Sequence, residues 1–275
     1  MQRGKFSISR ERIHGWRVRK AMRWPLILLA TLWTVPVQAH VPPLLETALD
    51  KIAADYDHWA YTQTVVEKNE KGKVLREAVV RFDPSKPYAE QFMPLKVDGR
   101  APTAAQLKKY RRQGERRADR IAKAESEGTT PPRQTLGELM DLERATLVEE
   151  AADIATFEVP LKKEGNNRLP PEKFRVLARV SKRTGAFESI VAQLREPMRA
   201  ELVVKIKSGV GRLDFATVDP RFPPAVSTIS GHGAGSILFV PVGRAYDLKR
   251  ESFQRVKPFG DRFAVKLGPL KSIDF

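Results

Sequence analysis

The pattern of apolar positions predicts a helix followed by three strands in the first part of the chain. From Pro43 to Asp55, apolar residues recur at spacings of three and four, which is typical of an amphipathic helix. The period then changes to two over 59–68 and again over 78–82, and the polar segment 69–73 between them predicts a turn. These segments predict a β-hairpin with one apolar face, and a third strand is expected over 88–97.

The segment from Thr103 to Gly128 breaks the alternation. Its basic residues stand among good helix formers and include Lys108, Lys109, Arg111, Arg112, Arg116, Arg117 and Arg120. This composition predicts a long, exposed, basic helix, and a short second helix is expected within 135–141. We interpret residues 103–141 as a helical insertion between strands. Its cations either contact an anionic surface or a partner, or they are simply solvated.

Alternation returns after residue 145 and predicts an extensive sheet. Strands are expected at 145–150, 154–161, 174–182, 187–194, 200–207, 213–218, 236–242, 245–256 and 262–267. A turn is expected at Ser208-Gly209, and the glycine-rich segment from Ser230 to Ser236 is interpreted as a flexible connection. The predicted fold class is α+β: one large, curled antiparallel sheet, an incomplete β-barrel, whose apolar face is covered by helices.

The N-terminal segment has the order of a signal peptide. Eight basic residues precede an apolar stretch from Trp24 to Trp33, and Val37-Gln38-Ala39 has small residues at the positions that signal peptidase reads. Cleavage after Ala39 would start the mature protein at His40 and leave residues 40–275 as a single half-barrel-like domain. We therefore expect a periplasmic location. An uncleaved membrane anchor is the alternative, which the short apolar stretch disfavours.

Composition narrows the function classes. The chain has no cysteine, so neither a lipid anchored on an N-terminal cysteine nor a disulfide is expected. Its net charge of +16 falls to about +9 when the first 39 residues are left out. In an exported protein, a basic balance points to anionic lipid head groups more than to nucleic acid, with ordinary solubility charge as the alternative. The scattered histidines predict neither a metal nor a cofactor.

Candidate catalytic residues are scarce. His232 and Ser236, in the glycine-rich segment, are a possible base and nucleophile, but the segment lacks a GxSxG motif and the lysine of a phosphate-binding loop. Two residues four apart on such a loop rarely hold each other in register. We therefore predict no catalytic residues and a protein that is not an enzyme.

The first hairpin resembles the start of a known family. Tyr61-Thr62-Gln63-Thr64-Val65, the turn with Gly72-Lys73-Val74 and the entry to the third strand at Lys86-Pro87-Tyr88 are similar to the opening of the outer-membrane lipoprotein carriers and their sorting-protein relatives. The resemblance covers residues 44–97. It implies an incomplete antiparallel β-barrel whose apolar cavity receives acyl chains without covalent chemistry. The basic segment has no counterpart in those carriers.

The apolar residues of these first strands are the candidate ligand-binding residues: Trp59, Tyr61, Val80, Phe82 and Phe92. Each methylene that a ligand buries among them contributes about 0.8 kcal/mol. Ordinary core packing is the alternative role for each of these side chains. We predict a non-enzymatic periplasmic binding or carrier protein for a lipid, lipoprotein or other amphiphile. Its expected partners are acyl chains and either an anionic membrane surface or an envelope protein. The alternative is an envelope sensor or protein-interaction module with the same fold.

Overall fold

The computed structural model describes residues 41–55, 57–129, 135–163, 170–201, 204–237 and 240–262. Within these ranges the helices are α1 (Pro43–Asp55), α2 (Ala104–Ser126) and α3 (Leu136–Leu139). The strands are β1 (Trp59–Asn69), β2 (Val74–Phe82), β3 (Phe92–Val97), β4 (Thr146–Glu150), β5 (Ile154–Glu158), β6 (Phe174–Ser181), β7 (Ala186–Leu194), β8 (Met198–Glu201), β9 (Val204–Ala216), β10 (Ala225–Ile237) and β11 (Val240–Arg255). The predicted signal peptide, its cleavage site and most of the predicted strand 262–267 lie outside the described residues.

The eleven strands form one antiparallel sheet, which stays open in the described part of the chain. Their order is β3-β2-β1-β11-β10-β9-β7-β6-β5-β4, with β8 paired to β9. The predicted large antiparallel sheet accompanied by helices is therefore confirmed. The N-terminal hairpin pairs with the C-terminal strand, because β1 lies against β11 along its whole length. Since β3 and β4 are the opposite edges, the segment that carries α2 and α3 joins one edge of the sheet to the other.

The two faces of the sheet differ in polarity. Residues paired across antiparallel strands point to the same face. One such row crosses five strands: Val65, Leu248, Ile229, Leu213 and Ile190. The helix α1 packs on this face, which we call the inner face. The opposite, outer face carries ion pairs, for example Lys68 with Asp247 at 2.9 Å and Arg212 with Asp214 at 2.6 Å. Alternation has therefore separated a mainly apolar face, which also carries the Glu67–Arg244 ion pair, from a solvated one.

An aliphatic core fills one half of the inner face, where α1 lies over β5, β6 and β7. Leu45 and Ala48 of α1 are 0% exposed. They pack with buried residues of the strands and of the segment after β5: Phe157, Val159, Val176, Ala178, Val180, Phe187 and Ile190. The structure confirms α1 with the predicted bounds, because its apolar stripe has a matching apolar surface to cover.

The glycine-rich strands are where the predictions are wrong. The strand β9 runs unbroken through the predicted turn at Ser208-Gly209, and the segment predicted as a flexible connection is the middle of β10. The predicted strand 236–242 is also wrong, because it spans the end of β10 and the start of β11. Glycine has low strand propensity, but here the ladders on both sides satisfy the backbone hydrogen-bonding groups.

The structure contains the predicted basic helix as α2. Thr103 caps it: its hydroxyl accepts a hydrogen bond from the Gln106 amide at 3.3 Å, and the Gln106 side chain accepts one from the Thr103 amide at 2.8 Å. The helix packs on β3 and on the short turn Tyr88–Glu90, which occupies the start of the predicted third strand. A Cβ on Gly114 would lie 2.4 Å from the Tyr88 carbonyl oxygen. This close backbone approach requires a glycine in the middle of α2.

Candidate functional site

Five aromatic residues meet on the inner face of the other half of the sheet. The ring centroid of Tyr61 lies 5.0 Å from that of Phe82, which lies 4.7 Å from that of Phe92. Phe253 of β11 extends the cluster, at 5.7 Å from Tyr61 and 6.2 Å from Trp59. These separations are those of tilted and edge-on aromatic pairs. We call the five residues the aromatic cluster.

A cavity of about 280 Å³ opens beside the aromatic cluster. Four of the five predicted ligand-binding residues line it: Trp59, Tyr61, Phe82 and Phe92. The fifth, Val80, is 1% exposed and does not line it. Helices α1 and α2 contribute Ile52 and Arg117 to the wall, and β9 contributes Phe215. The structure thus brings most of the predicted residues together around one space, and adds walls from distant parts of the chain.

A partly buried ion pair fixes Trp59 at one end of this cavity. The Trp59 Nε1 donates a hydrogen bond to Asp55 Oδ2 at 2.7 Å, and Arg255 forms an ion pair with the same carboxylate. The Arg255 guanidinium lies 5.1 Å from the centre of the Trp59 ring and 4.1 Å from that of Phe222. These contacts join the end of α1 to β1, β11 and the connection between β9 and β10. They hold the indole in one orientation.

A β-bulge in β11 brings Arg250 and Phe253 to the same face. Between Ala60 and Thr62 of β1, the partner strand β11 contains one extra residue. Ser252, at this point, has a φ of 53°, which is unusual for a residue other than glycine. The extra residue changes the alternation along β11, so that both side chains reach the cavity. A regular strand would have sent one of them to the outer face.

Arg250 forms no ion pair with any carboxylate in the described part of the chain. Its guanidinium carbon lies 4.4 Å from the centre of the Tyr61 ring, and its Nε is buried without a hydrogen-bond partner. Burial raises the pKa of Tyr246, which lies four residues before Arg250 on β11, and the positive charge of Arg250 opposes this rise. Tyr110 of α2 also raises the pKa of Tyr246. Sequence analysis missed Arg250, because a single arginine in a strand gives no signal of its own.

The predicted basic contact residues divide into two groups. Six point to solvent along α2: Lys108, Lys109, Arg111, Arg112, Arg116 and Arg120. Arg117 turns inward instead, and its Nη1 donates a hydrogen bond to the Gln91 Oε1 at 3.0 Å. Gln91 is 3% exposed, and the Arg117 guanidinium lies 5.8 Å from the centre of the Tyr88 ring. One of the seven cations is therefore part of the cavity wall rather than of the exposed surface.

Four glycines form a strip without side chains on the inner face. Gly209 and Gly211 of β9 pair with Gly233 and Gly231 of β10, and we call these four residues the glycine patch. A Cβ added at Gly211 would meet nothing within 4 Å. The patch lies four residues along the strands from the level of Arg250, a distance of roughly 14 Å. Glycine in a strand is frequent where another group approaches the backbone closely.

The candidate catalytic pair is not brought together by the structure. His232 and Ser236 lie four residues apart on β10, which separates them by roughly 13 Å along the strand. Among the described residues there is no group of three or more His, Asp or Glu side chains placed to hold a metal ion. Within the same residues no helix has the length and apolar character needed to cross a membrane.

A larger cavity, of about 790 Å³, lies beside β5 at the other end of the sheet, and its wall is charged. Arg195 and Arg175 both contact Glu158, the latter at 2.8 Å. Burial alone raises the pKa of Glu158, but hydrogen bonds from the two arginines outweigh it and lower that pKa below its ordinary value. Phe174 is the single aromatic residue among the described residues of this wall. Glu158 and these two arginines already pair with one another and the described part of the wall has a single aromatic ring, so the smaller aromatic cavity is the better candidate site.

No protein-family model, no curated protein and no solved structure matches the chain. The fold and site define a structural class: an open antiparallel sheet with helices, whose inner face carries a cavity with aromatic walls and cationic side chains. The resemblance of the first hairpin to the lipoprotein carriers stays a prediction.

Proposed function

We propose that this protein binds an amphiphile in the aromatic cavity, without covalent chemistry, as a periplasmic binding or carrier protein. The observation that carries the proposal is the open space beside Trp59, Tyr61, Phe82 and Phe92. The other half of the inner face is filled by α1, whereas these large side chains leave a cavity of about 280 Å³. Aromatic walls with a few polar groups are typical of small-molecule sites.

The energetics favour an alkyl chain as the apolar part of the ligand. Each methylene moved from water into the cavity contributes about 0.8 kcal/mol. The row formed by Leu248, Ile229 and Leu213 continues the apolar surface from the cavity toward the glycine patch. Because the patch has no side chains, an extended chain can lie directly on the backbone there. On this proposal the apolar residues of the inner face extend from the cavity towards the patch.

The second candidate function is a protein-interaction or sensor module of the cell envelope. The six exposed cations of α2 support it, because they form a dense positive surface on one helix. Arg111 pairs with Glu115 at 3.2 Å, but the helix has more cations than acids. The same surface also suits contact with anionic lipid.

The test measures uptake of dodecanoate and of dodecanol by the protein purified after expression of the full chain. Native mass spectrometry detects the bound ligand. In protein from which the first 39 residues have been removed, the fluorescence of Trp59 reports the site, since the other three tryptophans lie within those residues. The Phe253→Ala variant removes one cavity wall and is expected to weaken the binding of both ligands by about tenfold or more. The control is Met93→Ala, which changes a side chain that is 53% exposed and does not line the cavity.

Folded protein that takes up neither ligand would contradict amphiphile binding. Equal weakening by Phe253→Ala and Met93→Ala would place the bound ligand elsewhere than in the aromatic cavity. A Trp59→Phe variant that abolishes the fluorescence change, but keeps the ligand in the mass spectrum, identifies the indole as the reporter.

A further inference from the structure

We infer that the ligand of the aromatic cavity carries an anionic head group and that Arg250 binds it. The inference rests on the proposed function and adds the chemical class of the ligand: an amphiphile ending in an oxyanion, either a carboxylate or a phosphate. The alkyl part of this ligand lies among the aromatic residues and along the row that leads to the glycine patch.

The environment of Arg250 leaves its guanidinium Nε without an acceptor among the described residues. A half-buried guanidinium with a buried, unpartnered Nε has lost water without gaining a hydrogen-bond acceptor in return. The face of the Tyr61 ring, 4.4 Å away, attracts the cation but accepts no in-plane hydrogen bond from it. The guanidinium donors therefore remain available in the plane of the group. Two parallel N–H donors match the two oxygens of a carboxylate or phosphate.

Arg255 and Arg117, two other arginines near the cavity, already have partners. Asp55 accepts the hydrogen bond from Trp59 and pairs with Arg255, and Arg117 is bound to Gln91. Asp57 also lines the cavity. Arg250 differs from Arg255, five residues further along the same strand, in having no carboxylate partner among the described residues. The positive charge that an anionic ligand needs is therefore Arg250.

The β-bulge at Ser252 lies two residues from Arg250. A residue other than glycine in the left-handed region is strained, and bulges next to binding sites serve to redirect a side chain. Here the bulge lets Arg250 and Phe253 share the inner face. A cationic group and an aromatic surface, side by side, are complementary to the two parts of an anionic amphiphile.

The experiment compares the affinities of dodecanoate, dodecyl phosphate and dodecanol for the unmodified protein, Arg250→Gln and Arg250→Lys. The chains are equal in length, so a difference in affinity isolates the head group. The unmodified protein is expected to bind the two anions about tenfold or more tightly than dodecanol. Arg250→Gln is expected to weaken the binding of the two anions about tenfold or more beyond any weakening of dodecanol binding, and so to remove this preference. Arg250→Lys keeps the charge but not the planar pair of donors, so it should retain part of the preference.

Free anions distinguish a head-group site from a general phosphate site. Inorganic phosphate and acetate are expected not to compete with dodecanoate at equal concentration, because they lack the alkyl chain. Competition by inorganic phosphate would overturn the amphiphile assignment.

Equal affinity of the unmodified protein for dodecanoate and dodecanol would overturn the inference and leave the proposed function intact, and this comparison needs no variant to fold. Equal weakening of both ligands in Arg250→Gln would also overturn it, by showing that the side chain only supports the cavity. Failure to bind any of the three ligands would instead count against the proposed function.

Discussion

The two halves of the inner face are built from different side chains and differ in how completely they are filled. Over β5, β6 and β7, α1 places Leu45 and Ala48 among aliphatic residues, and these two side chains have no exposed surface. Over β1, β2, β3 and β11, the core consists of aromatic rings with two arginines at the wall, and a cavity remains. Both halves belong to one continuous sheet.

Under the proposed function, the filled half of the sheet supplies stability and the aromatic half supplies the binding surface. The aliphatic side chains under α1 interdigitate at the density of a protein interior, whereas the rings of the other half border a cavity of about 280 Å³. In the aromatic half, the Asp55–Arg255 ion pair and the Trp59 hydrogen bond fix the wall without filling the cavity. Mutations in the two halves should therefore have different consequences.

The largest effect on stability is expected from Leu45→Ala in the filled half. Removal of this fully buried side chain should lower the free energy of unfolding by about 2–5 kcal/mol, through lost burial and a new cavity. Urea denaturation followed by circular dichroism measures the change. The paired variant, Phe253→Ala, should cost less stability, because its side chain already borders an open space, but it should weaken ligand binding. A larger loss of stability in Phe253→Ala than in Leu45→Ala would show that the filled half is not the main source of stability.

The next effect concerns the docking of α2 against the aromatic half. Gly114→Ala adds a Cβ where the Tyr88 carbonyl oxygen would lie at 2.4 Å. The overpacking should cost about 1–3 kcal/mol, more than the roughly 1 kcal/mol that alanine contributes to helix propensity. Thermal unfolding compares it with Gly137→Ala in α3, where a Cβ meets nothing within 4 Å. A stabilised Gly114→Ala variant would show that α2 is not held in this close contact.

The glycine patch should decide ligand length more than stability. Gly211→Leu places a side chain in open space on the inner face, so stability should change by less than about 1 kcal/mol. Ligands that reach the patch should bind more weakly, while those confined to the aromatic cavity should be unaffected. Affinities for alkyl carboxylates of increasing length measure this, with Val210→Leu, on the outer face, as control. Uniform affinity across lengths in Gly211→Leu would show that no ligand reaches the patch.

The smallest effect on stability is expected at low pH, from Asp219 in the connection between β9 and β10. Hydrogen bonds from the Arg221 side chain and backbone lower the pKa of Asp219 from 3.8 to about 2. A lowered folded-state pKa favours the folded protein above the ordinary value, and this contribution is lost as the pH falls from about 4 towards 2. Because Asp219 is solvent-accessible, the loss should be small. An NMR titration of its carboxyl carbon gives the pKa, and Arg221→Gln should return it towards 3.8.

Local periodicity was enough to predict α1, the first hairpin and α2. In these segments the hydrophobic pattern repeats along a single helix or strand. The secondary structure that it favours locally is therefore the one that the fold contains. The alternating apolar residues of the first strands also included Trp59, Tyr61, Phe82 and Phe92, the four predicted ligand-binding residues that line the cavity. The strands β9 and β10 could not be predicted in this way, because glycines at 209, 211, 231 and 233 have no side chain to show alternation. Their partners in the sheet, not their own propensity, make them strands.

The amino-acid sequence by itself therefore determined the class of fold, the basic helix and one aromatic wall of the site. Only the tertiary structure placed Phe253 and Arg250 beside that wall, since β1 and β11 are far apart in the sequence but are neighbours in the sheet. The bulge at Ser252 changes which face of the sheet the next residues of β11 point to. It arises from the pairing of β11 with β1 and leaves no pattern in the sequence. Side-chain periodicity is a local property, whereas a binding site depends on which distant strands become neighbours and in what register.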